Sequence, residues 1–333
     1  MSGPATCHMN MYESMPSIDL ESAQQVVAGV LRNVDGEILL SRRQPGRHQA
    51  GKWEFPGGKV EPGETAEIAL ARELREELGI AVGSIMRRIQ VPFRYPDMTV
   101  LLDVYDVIDY TGEARGLEGQ EIAWVAAADL DQQEYPAANL PVITSLRLPD
   151  WYAISNITKL GERLFLQKLE QKLESGLRLI QLREPGMKPE TFTKLAQQIT
   201  SLAHEHRARV LLNTDDLNLI QSCGVDGLHI NSRLLNQLRH RPLPDSYLVA
   251  ASCHNLEQLR KAQQLSADFA VLSPVKETAS HPQAKAIGWE QFAALTRHCA
   301  IPVYALGGMT LADITTARNH GGQGVAALGA SWQ

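Results

Sequence analysis

A chain of 333 residues is long enough for two domains of ordinary size, and 44% hydrophobic with 21% charged residues leaves apolar material for a core in each. The formal net charge of −6 and the lack of any basic run argue against a standing complex with DNA or RNA and favour a small phosphorylated ligand. No stretch is apolar for long enough to cross a bilayer, and Met1 to Leu20 lacks the apolar core of a signal peptide. Cys7, Cys223, Cys253 and Cys299 show neither metal-finger nor redox spacing, so a cytoplasmic protein with reduced thiols is expected.

Residues 1–22 read as a disordered terminus. Val26 to Leu31 is an apolar run, Val34-Asp35-Gly36-Glu37 a turn, and Ile38 to Leu40 a second strand. A basic loop, Arg42 to Gly51, leads to Trp53-Glu54-Phe55-Pro56-Gly57-Gly58 and a second glycine loop, Glu61-Pro62-Gly63-Glu64. The spacing of Ile68, Ala71, Leu74 and Leu78 predicts a helix over Thr65 to Leu78, stopped by Gly79. Strands are expected at Val100–Ile108 and Ile122–Val125, and a closing helix at Asn139–Leu146. Leu148-Pro149-Asp150 reads as a linker between a domain of residues 23–148 and one of 151–333.

Beyond the linker, short apolar runs recur at Trp151–Ser155, Leu179–Arg183, Arg209–Asn213, Gly227–Ile230, Leu248–Ser252, Phe269–Ser273, Val303–Leu306 and Gly324–Leu328. Helical patterns such as Leu195–Ala203 and Leu256–Leu265 separate them, which predicts an α/β chain ending in a parallel (β/α)8 barrel. Few residues follow the eighth run. The final helix is therefore expected to be missing or a stub, with the barrel closed differently or the gap covered by the other domain or a partner.

The chemistry concentrates in Gly58-(five residues)-Glu64-(seven residues)-Arg72-Glu73-Leu74-Arg75-Glu76-Glu77-Leu78-Gly79-Ile80. Glu73 and Glu77 are four apart and stack on one helix face, where like charges repel. A divalent cation such as Mg2+ takes carboxylate oxygens and would offset that repulsion. A solvated acidic face is the alternative reading of the glutamates alone. Glycines permit close backbone approach to metal or phosphate, and Arg72 can buttress a carboxylate.

Gly58 to Ile80 matches every position of the Nudix box, and about Gln24 to Leu148 resembles a whole Nudix hydrolase domain. The resemblance implies an α/β/α sandwich and hydrolysis of a nucleoside diphosphate linked to another group. Three further stretches resemble the MutT-type 8-oxo-dGTP diphosphatases. They are Ser41-Arg42-Arg43 with His48 and Glu54-Phe55-Pro56-Gly57-Gly58-Lys59, then Glu118-Gly119-Gln120, then Tyr135-Pro136-Ala137-Ala138-Asn139 with Pro141-Val142-Ile143. Arg43, His48, Glu54, Phe55, Pro56, Gly57 and Asn139 are implied to hold the substrate. Gly57, Glu73, Glu77 and Glu118 are implied to hold Mg2+, or Mn2+, with Glu73 as general base and Glu76 or Glu118 as runners-up. An asparagine amide carries both a donor and an acceptor for a purine edge, yet Asn139 also suits a helix cap. Arg43 and His48 equally suit an exposed loop.

Trp151 to Gln333 resembles the thiamine phosphate synthase and thiazole tautomerase barrels, on Gln181-Leu182-Arg183-Glu184, Asn213, Asp226-Gly227-Leu228-His229-Ile230, Ser252, His254, Ser273-Pro274 and Gly307-Gly308. Arg183, Asn213, His254, Gly307 and Gly308 are the implied contacts for a phosphate or thiazole phosphate. The pattern departs where the synthases carry a lysine, here Pro185, and an aspartate metal ligand, here Thr214 with Asp215 one place late. A second aspartate is missing from Asn231-Ser232-Arg233-Leu234. A ligand-binding regulator or a structural partner is therefore favoured over a synthase.

Overall fold

The computed structural model describes residues 20–278, 283 and 285–333; Cys7 and most of the expected disordered terminus lie outside the described residues. The chain opens with β1 (Gln24–Val30), β2 (Ile38–Arg42), β3 (Trp53–Glu54), β4 (Gly57–Lys59) and α1 (Ala66–Leu78). There follow β5 (Ala81–Val82), β6 (Ile85–Arg94), β7 (Thr99–Val107), β8 (Tyr110–Thr111), β9 (Ile122–Val125) and α2 (Leu140–Arg147). A four-stranded sheet runs β4-β1-β7-β6, with β1 and β7 parallel and the outer pairings antiparallel; β3-β2-β9 and β5-β8 form smaller sheets.

Strand alternation divides the first core in two. Val27 packs with Leu70, Leu74 and Leu78 of α1, while Ala28 and Val30 pack with Val91, Phe93, Val142 and Ile143 on the α2 side. The two helices thus cover opposite faces, an α/β/α sandwich. Thr65 caps α1 by accepting from Ile68 N, and Gly79 ends it at φ 72°, donating to the Arg75 carbonyl. β6 was not foreseen. It mixes Arg87, Arg88, Gln90 and Pro92 with apolar residues, and a register shift between Arg87 and Ile89 breaks the two-residue alternation.

The second half is a closed parallel barrel of β10 (Trp151–Ile154), β11 (Leu179–Leu182), β12 (Arg209–Leu212), β13 (Gly227–Ile230), β14 (Leu248–Cys253), β15 (Phe269–Leu272), β16 (Val303–Ala305) and β17 (Gly324–Ala327). Its helices are α3 (Ile157–Leu160), α4 (Glu162–Glu174), α5 (Pro189–Glu205), α6 (Asn218–Ser222), α7 (Ser232–Gln237), α8 (Leu256–Gln264), α9 (Gly288–Thr296) and α10 (Ile314–Asn319). Tyr152, Phe269 and Tyr304 fill the barrel interior. β17 pairs directly with β10, so closure is ordinary. After β17, a single turn at Ala330–Trp332 drops Trp332 against Phe165, 4.6 Å between ring centres, and its indole N–H donates to the Ile154 carbonyl at 2.6 Å. That turn fills the space between β10 and α4. Cys223, Cys253 and Cys299 are buried free thiols, and no helix of the described residues is long and apolar enough to cross a membrane.

The two halves are not joined by a loose tether. Tyr304 donates to the Pro149 carbonyl, and Arg318 of α10 pairs with Asp150 and reaches Asp106 of β7. Arg88 and Arg32 also pair with Asp106, so one buried carboxylate holds three guanidiniums. Burial pushes its carboxyl up, but Arg88, Arg318 and Arg32 more than offset this and hold it below the usual range. Ala300 packs into the first domain's core. Asp150, Arg209 and Gln323 all lie at or just before the starts of barrel strands. The first domain therefore sits at the N-terminal end of the barrel, and the barrel mouth opens away from it.

Trp332→Ala is expected to lose about 3–5 kcal/mol of stability, because it removes a buried indole and leaves that space unfilled. Urea unfolding of the full chain checks this; a loss below about 1 kcal/mol would mean the turn does not fill it.

Candidate active site

α1 and β4 bring the carboxylates to two glycines. Gly57 has φ 150°, and a Cβ there would run into the Val27 carbonyl oxygen of the neighbouring strand. Gly58 leaves open the space that the Glu73 carboxylate fills; a Cβ at Gly58 would overlap that carboxylate. Gly57 N donates to Glu77 Oε2 at 3.2 Å. Glu77 is only 7% exposed. Burial, opposed by the Gly57 hydrogen bond and reinforced by the charges of Glu54, Glu73 and Glu118, pushes its carboxyl up to about 7. Four glutamates therefore share one cleft electrostatically.

Arginines hold the others. Arg72 takes Glu64 bidentately at 2.8 and 2.9 Å, Glu73 at 2.8 Å and Glu76 at 3.3 Å, and donates to the Lys59 carbonyl. The Arg72 hydrogen bonds draw the Glu64 carboxyl down to about 2. Arg43 pairs with Glu54 and donates to the His48 carbonyl at 2.6 Å. Burial raises the Glu54 carboxyl despite Arg43. Arg47 pairs with Glu118 at 3.2 Å. Glu76 points outward, its side chain 56% exposed.

Hard carboxylate oxygens around a glycine turn suit a hard divalent cation in kind and in charge. They do not form a ready-made cage: among the described residues no three His, Cys, Asp or Glu side chains group as a metal site. Glu73, Glu54 and Glu118 each lean on an arginine instead, and only Glu77 faces the cleft without one.

Aromatic side chains lie close to this cluster in sequence and pack in the first domain's core. The Phe55 and Tyr135 rings are nearly parallel at 6.4 Å between centres. Tyr95 meets His48 edge-on at 4.8 Å, and its hydroxyl accepts from Ala138 N at 3.3 Å. His48 Nε2 lies 3.7 Å from Asp97. Pro56 contributes its carbonyl to Gly29 N. Asn139 is 6% exposed at the start of α2, yet its side chain makes neither a capping bond nor any other hydrogen bond among the described residues. The helix-cap reading of Asn139 is thus not what the structure adopts. Tyr95 was not singled out by sequence reasoning, and Tyr135 entered only as part of a quoted stretch with no role of its own; an aromatic in a strand or loop reads as core, and the fold packs both with the first domain's core.

At the barrel mouth, Arg183 and Asn213 follow β11 and β12 with side chains that bond to no described residue. His254 Nδ1 lies 2.9 Å from the Ser273 carbonyl, and Gly307 and Gly308 form a left-handed turn, φ 98° and 64°, packed against Pro274 and Glu277. Asp215 is engaged by Arg233 and by Asn231 at 3.0 Å. Glu184 is structural: it accepts from Ser155, from Ile157 N, and from Thr158 twice. Inside the barrel, sequence reasoning missed a chain in which Gln181 donates to the Tyr152 hydroxyl, which meets His229 Nδ1 at 3.1 Å, while Nε2 meets Ser252 at 2.8 Å. Burial, aided by Arg183, pushes the His229 imidazole down to about 3, so it is neutral. Its signal was a histidine inside an otherwise apolar strand.

The sandwich with its glutamate helix and the eight-stranded barrel define a chain of two enzyme folds. Residues 23–146 match the NUDIX domain model and residues 151–330 the Thiamine monophosphate synthase model, and the chain belongs to both families. Its first domain is a Nudix hydrolase acting on phosphoric anhydrides, homologous to 8-oxo-dGTP diphosphatases. It is 40% identical over 123 residues to the 8-oxo-dGTP diphosphatase of Escherichia coli (strain K12), covering 37% of this chain and 95% of the relative. It is 38% identical over 121 residues to the CTP pyrophosphohydrolase of the same organism, covering 36% and 87%. The barrel is 34% identical over 183 residues to the putative thiamine-phosphate synthase 2 of Aquifex aeolicus (strain VF5), covering 55% and 97%. Nudix hydrolases work with a divalent cation.

Gly58→Ala is expected to keep the fold while displacing Glu73, whose flexible end can move. Gly57→Ala meets backbone and a left-handed φ, and should cost about 3 kcal/mol or more. Thermal melts of the two variants check this order, and the reverse order would contradict it.

The Glu77 carboxyl binds its proton more tightly folded than unfolded, where it titrates near 4.5. The stability of chelator-treated protein should fall as pH rises from about 4.5 to about 7 and then level, by up to roughly 3 kcal/mol. Glu77→Gln should flatten that fall, and a divalent cation should reverse it at pH 8; a variant with an unchanged pH–stability curve would contradict the reading.

Proposed function

We propose that the first domain hydrolyses 8-oxo-dGTP to 8-oxo-dGMP and pyrophosphate with Mg2+, or Mn2+, and so clears an oxidised nucleotide before polymerases use it. The observation that carries the substrate is Asn139: its side chain makes no hydrogen bond among the described residues, and it directly follows Ala138, whose N–H donates to the Tyr95 hydroxyl. An amide offers one donor group and one acceptor, so a purine edge that matches both gains over one that matches fewer. His48 and Arg43 lie at the same entry and suit sugar and phosphate oxygens.

Gly57 O, Glu73, Glu77 and Glu118 would hold the cation, which when bound neutralises phosphate charge and lowers the pKa of water. Glu73, steadied by Arg72 and lodged over Gly58, takes the proton from water as the water oxygen bonds to the β-phosphorus. The bond from that phosphorus to the α–β bridging oxygen breaks, 8-oxo-dGMP leaves with the bridging oxygen, and the β- and γ-phosphates depart as pyrophosphate.

Similarity to the CTP pyrophosphohydrolase supports a second reading, another nucleoside triphosphate. For the barrel, the engaged Asp215, Pro185 and Thr214 support a ligand-binding or structural role over synthase chemistry, which needs electrostatic stabilisation of departing pyrophosphate. Arg183, Asn213, His254 and the Gly307-Gly308 turn would meet a phosphate or thiazole phosphate.

Pyrophosphate release from 8-oxo-dGTP, dGTP and CTP with Mg2+ tests the assignment. The expected order places 8-oxo-dGTP at least tenfold above the others in kcat/KM, with a loss of about 100-fold or more in Glu77→Gln. Equal rates on 8-oxo-dGTP and dGTP, or faster turnover of CTP, would overturn the substrate.

A further inference from the structure

The helix that begins at Asn139 ends in the barrel. Asn139 directly precedes α2, whose last turn holds Ser145 and Arg147. Ser145 is fully buried, and its hydroxyl donates to Gln323 Oε1 at 2.6 Å. Gln323 returns two bonds from Nε2, to the Ser145 carbonyl at 3.1 Å and to the Leu148 carbonyl at 2.9 Å. Arg209 of β12 donates to the Arg147 carbonyl at 2.6 Å. These carbonyls lie in the last turn of the helix or just past it, where helical N–H partners run out; Ser145 O keeps one backbone bond, from Leu148 N at 3.3 Å. The barrel supplies further donors to them.

Gln323 is the unusual member. It is 2% exposed, it stands just before β17, and every hydrogen bond its side chain makes crosses to the other domain. A glutamine that served only the barrel would bond within it. From the other side Arg88 of β6 grips the same Ser145 carbonyl at 3.2 Å, so the helix end is clamped between both domains. The clamp lies six residues from Asn139, about 9 Å along a rigid helix, so a tilt or rotation at one end moves the other.

We propose that Gln323 is a positioning residue for the nucleotide site: the barrel, through Gln323 and Ser145, sets the orientation of α2 and with it the Asn139 amide. The barrel then determines how sharply the Nudix site separates 8-oxo-dGTP from dGTP, without touching either nucleotide. The inference rests on the reading of Asn139 as the base-contacting residue. It gives the barrel a task that needs no thiamine chemistry.

The test is steady-state kinetics of the full chain on 8-oxo-dGTP and dGTP, for wild type, Gln323→Leu, the milder Ser145→Ala, Asn139→Ala and the Gln323→Leu/Asn139→Ala double variant. Circular dichroism at the assay temperature confirms that each is folded. Gln323→Leu and Ser145→Ala are expected to lower the ratio of kcat/KM for 8-oxo-dGTP over dGTP by about three- to tenfold, through KM for 8-oxo-dGTP, leaving kcat on dGTP near wild type. In the Asn139→Ala background, Gln323→Leu should change the ratio no further, because the two act through one contact. A general loss of stability would lower both substrates together and would add to Asn139→Ala. Folded Gln323→Leu and Ser145→Ala variants that retain the wild-type ratio, or effects that add to Asn139→Ala, overturn the proposal. A wild type with no preference for 8-oxo-dGTP overturns the underlying substrate assignment instead, and the proposal with it.

Discussion

The first domain is organised around negative charge packed against two residues that have no side chain. Glu77 is buried on Gly57 and Glu73 lodges over Gly58, with Glu54 and Glu118 close enough to raise the proton affinity of Glu77. Such a concentration of carboxylates opposes folding unless positive charge is near. Arg72, Arg43 and Arg47 supply part of it, each on a different glutamate. Glu77 has no arginine, which leaves it as the group a cation would relieve most. The glycines, the capped helix and the arginine hub are all consequences of making that arrangement stable enough to persist.

The same economy of charge appears where the two halves meet. Asp106 is buried under Arg32, Arg88 and Arg318, which come from three separate parts of the chain. Removing a member of such a network strands a buried charge, so the relative placement of the domains is strongly specified even if the network adds little net stability. The first domain occupies the N-terminal end of the barrel, so Arg183, Asn213 and the other residues at the C-terminal strand ends lie away from the interface.

Features with local causes were legible in the sequence. The helix from Thr65 to Leu78 was marked by its apolar spacing, its polar start and Gly79, and Ile122–Val125 was found to the residue. All eight barrel strands follow from short apolar runs at regular intervals, because strands buried on both faces need no alternation. β6 was missed because its bulge and its arginines hide the period. In the candidate site, the glutamates and glycines carry a dense local pattern. The partners that orient them do not: Tyr95 with Ala138 and Phe55 with Tyr135 are far apart in the chain. Gln323 and Ser145 are separated by 178 positions and read singly as ordinary polar residues.

Around Gly57 and Gly58 the carboxylates are held close enough to raise the proton affinity of Glu77, a cost that a bound cation would relieve. Isothermal titration of Mn2+ into the full chain near pH 6.5, in two buffers of different ionisation enthalpy, tests it most directly. The account predicts binding coupled to release of a proton, with the release abolished in Glu77→Gln. Absence of binding, or binding of the wild type with no proton released, would contradict it.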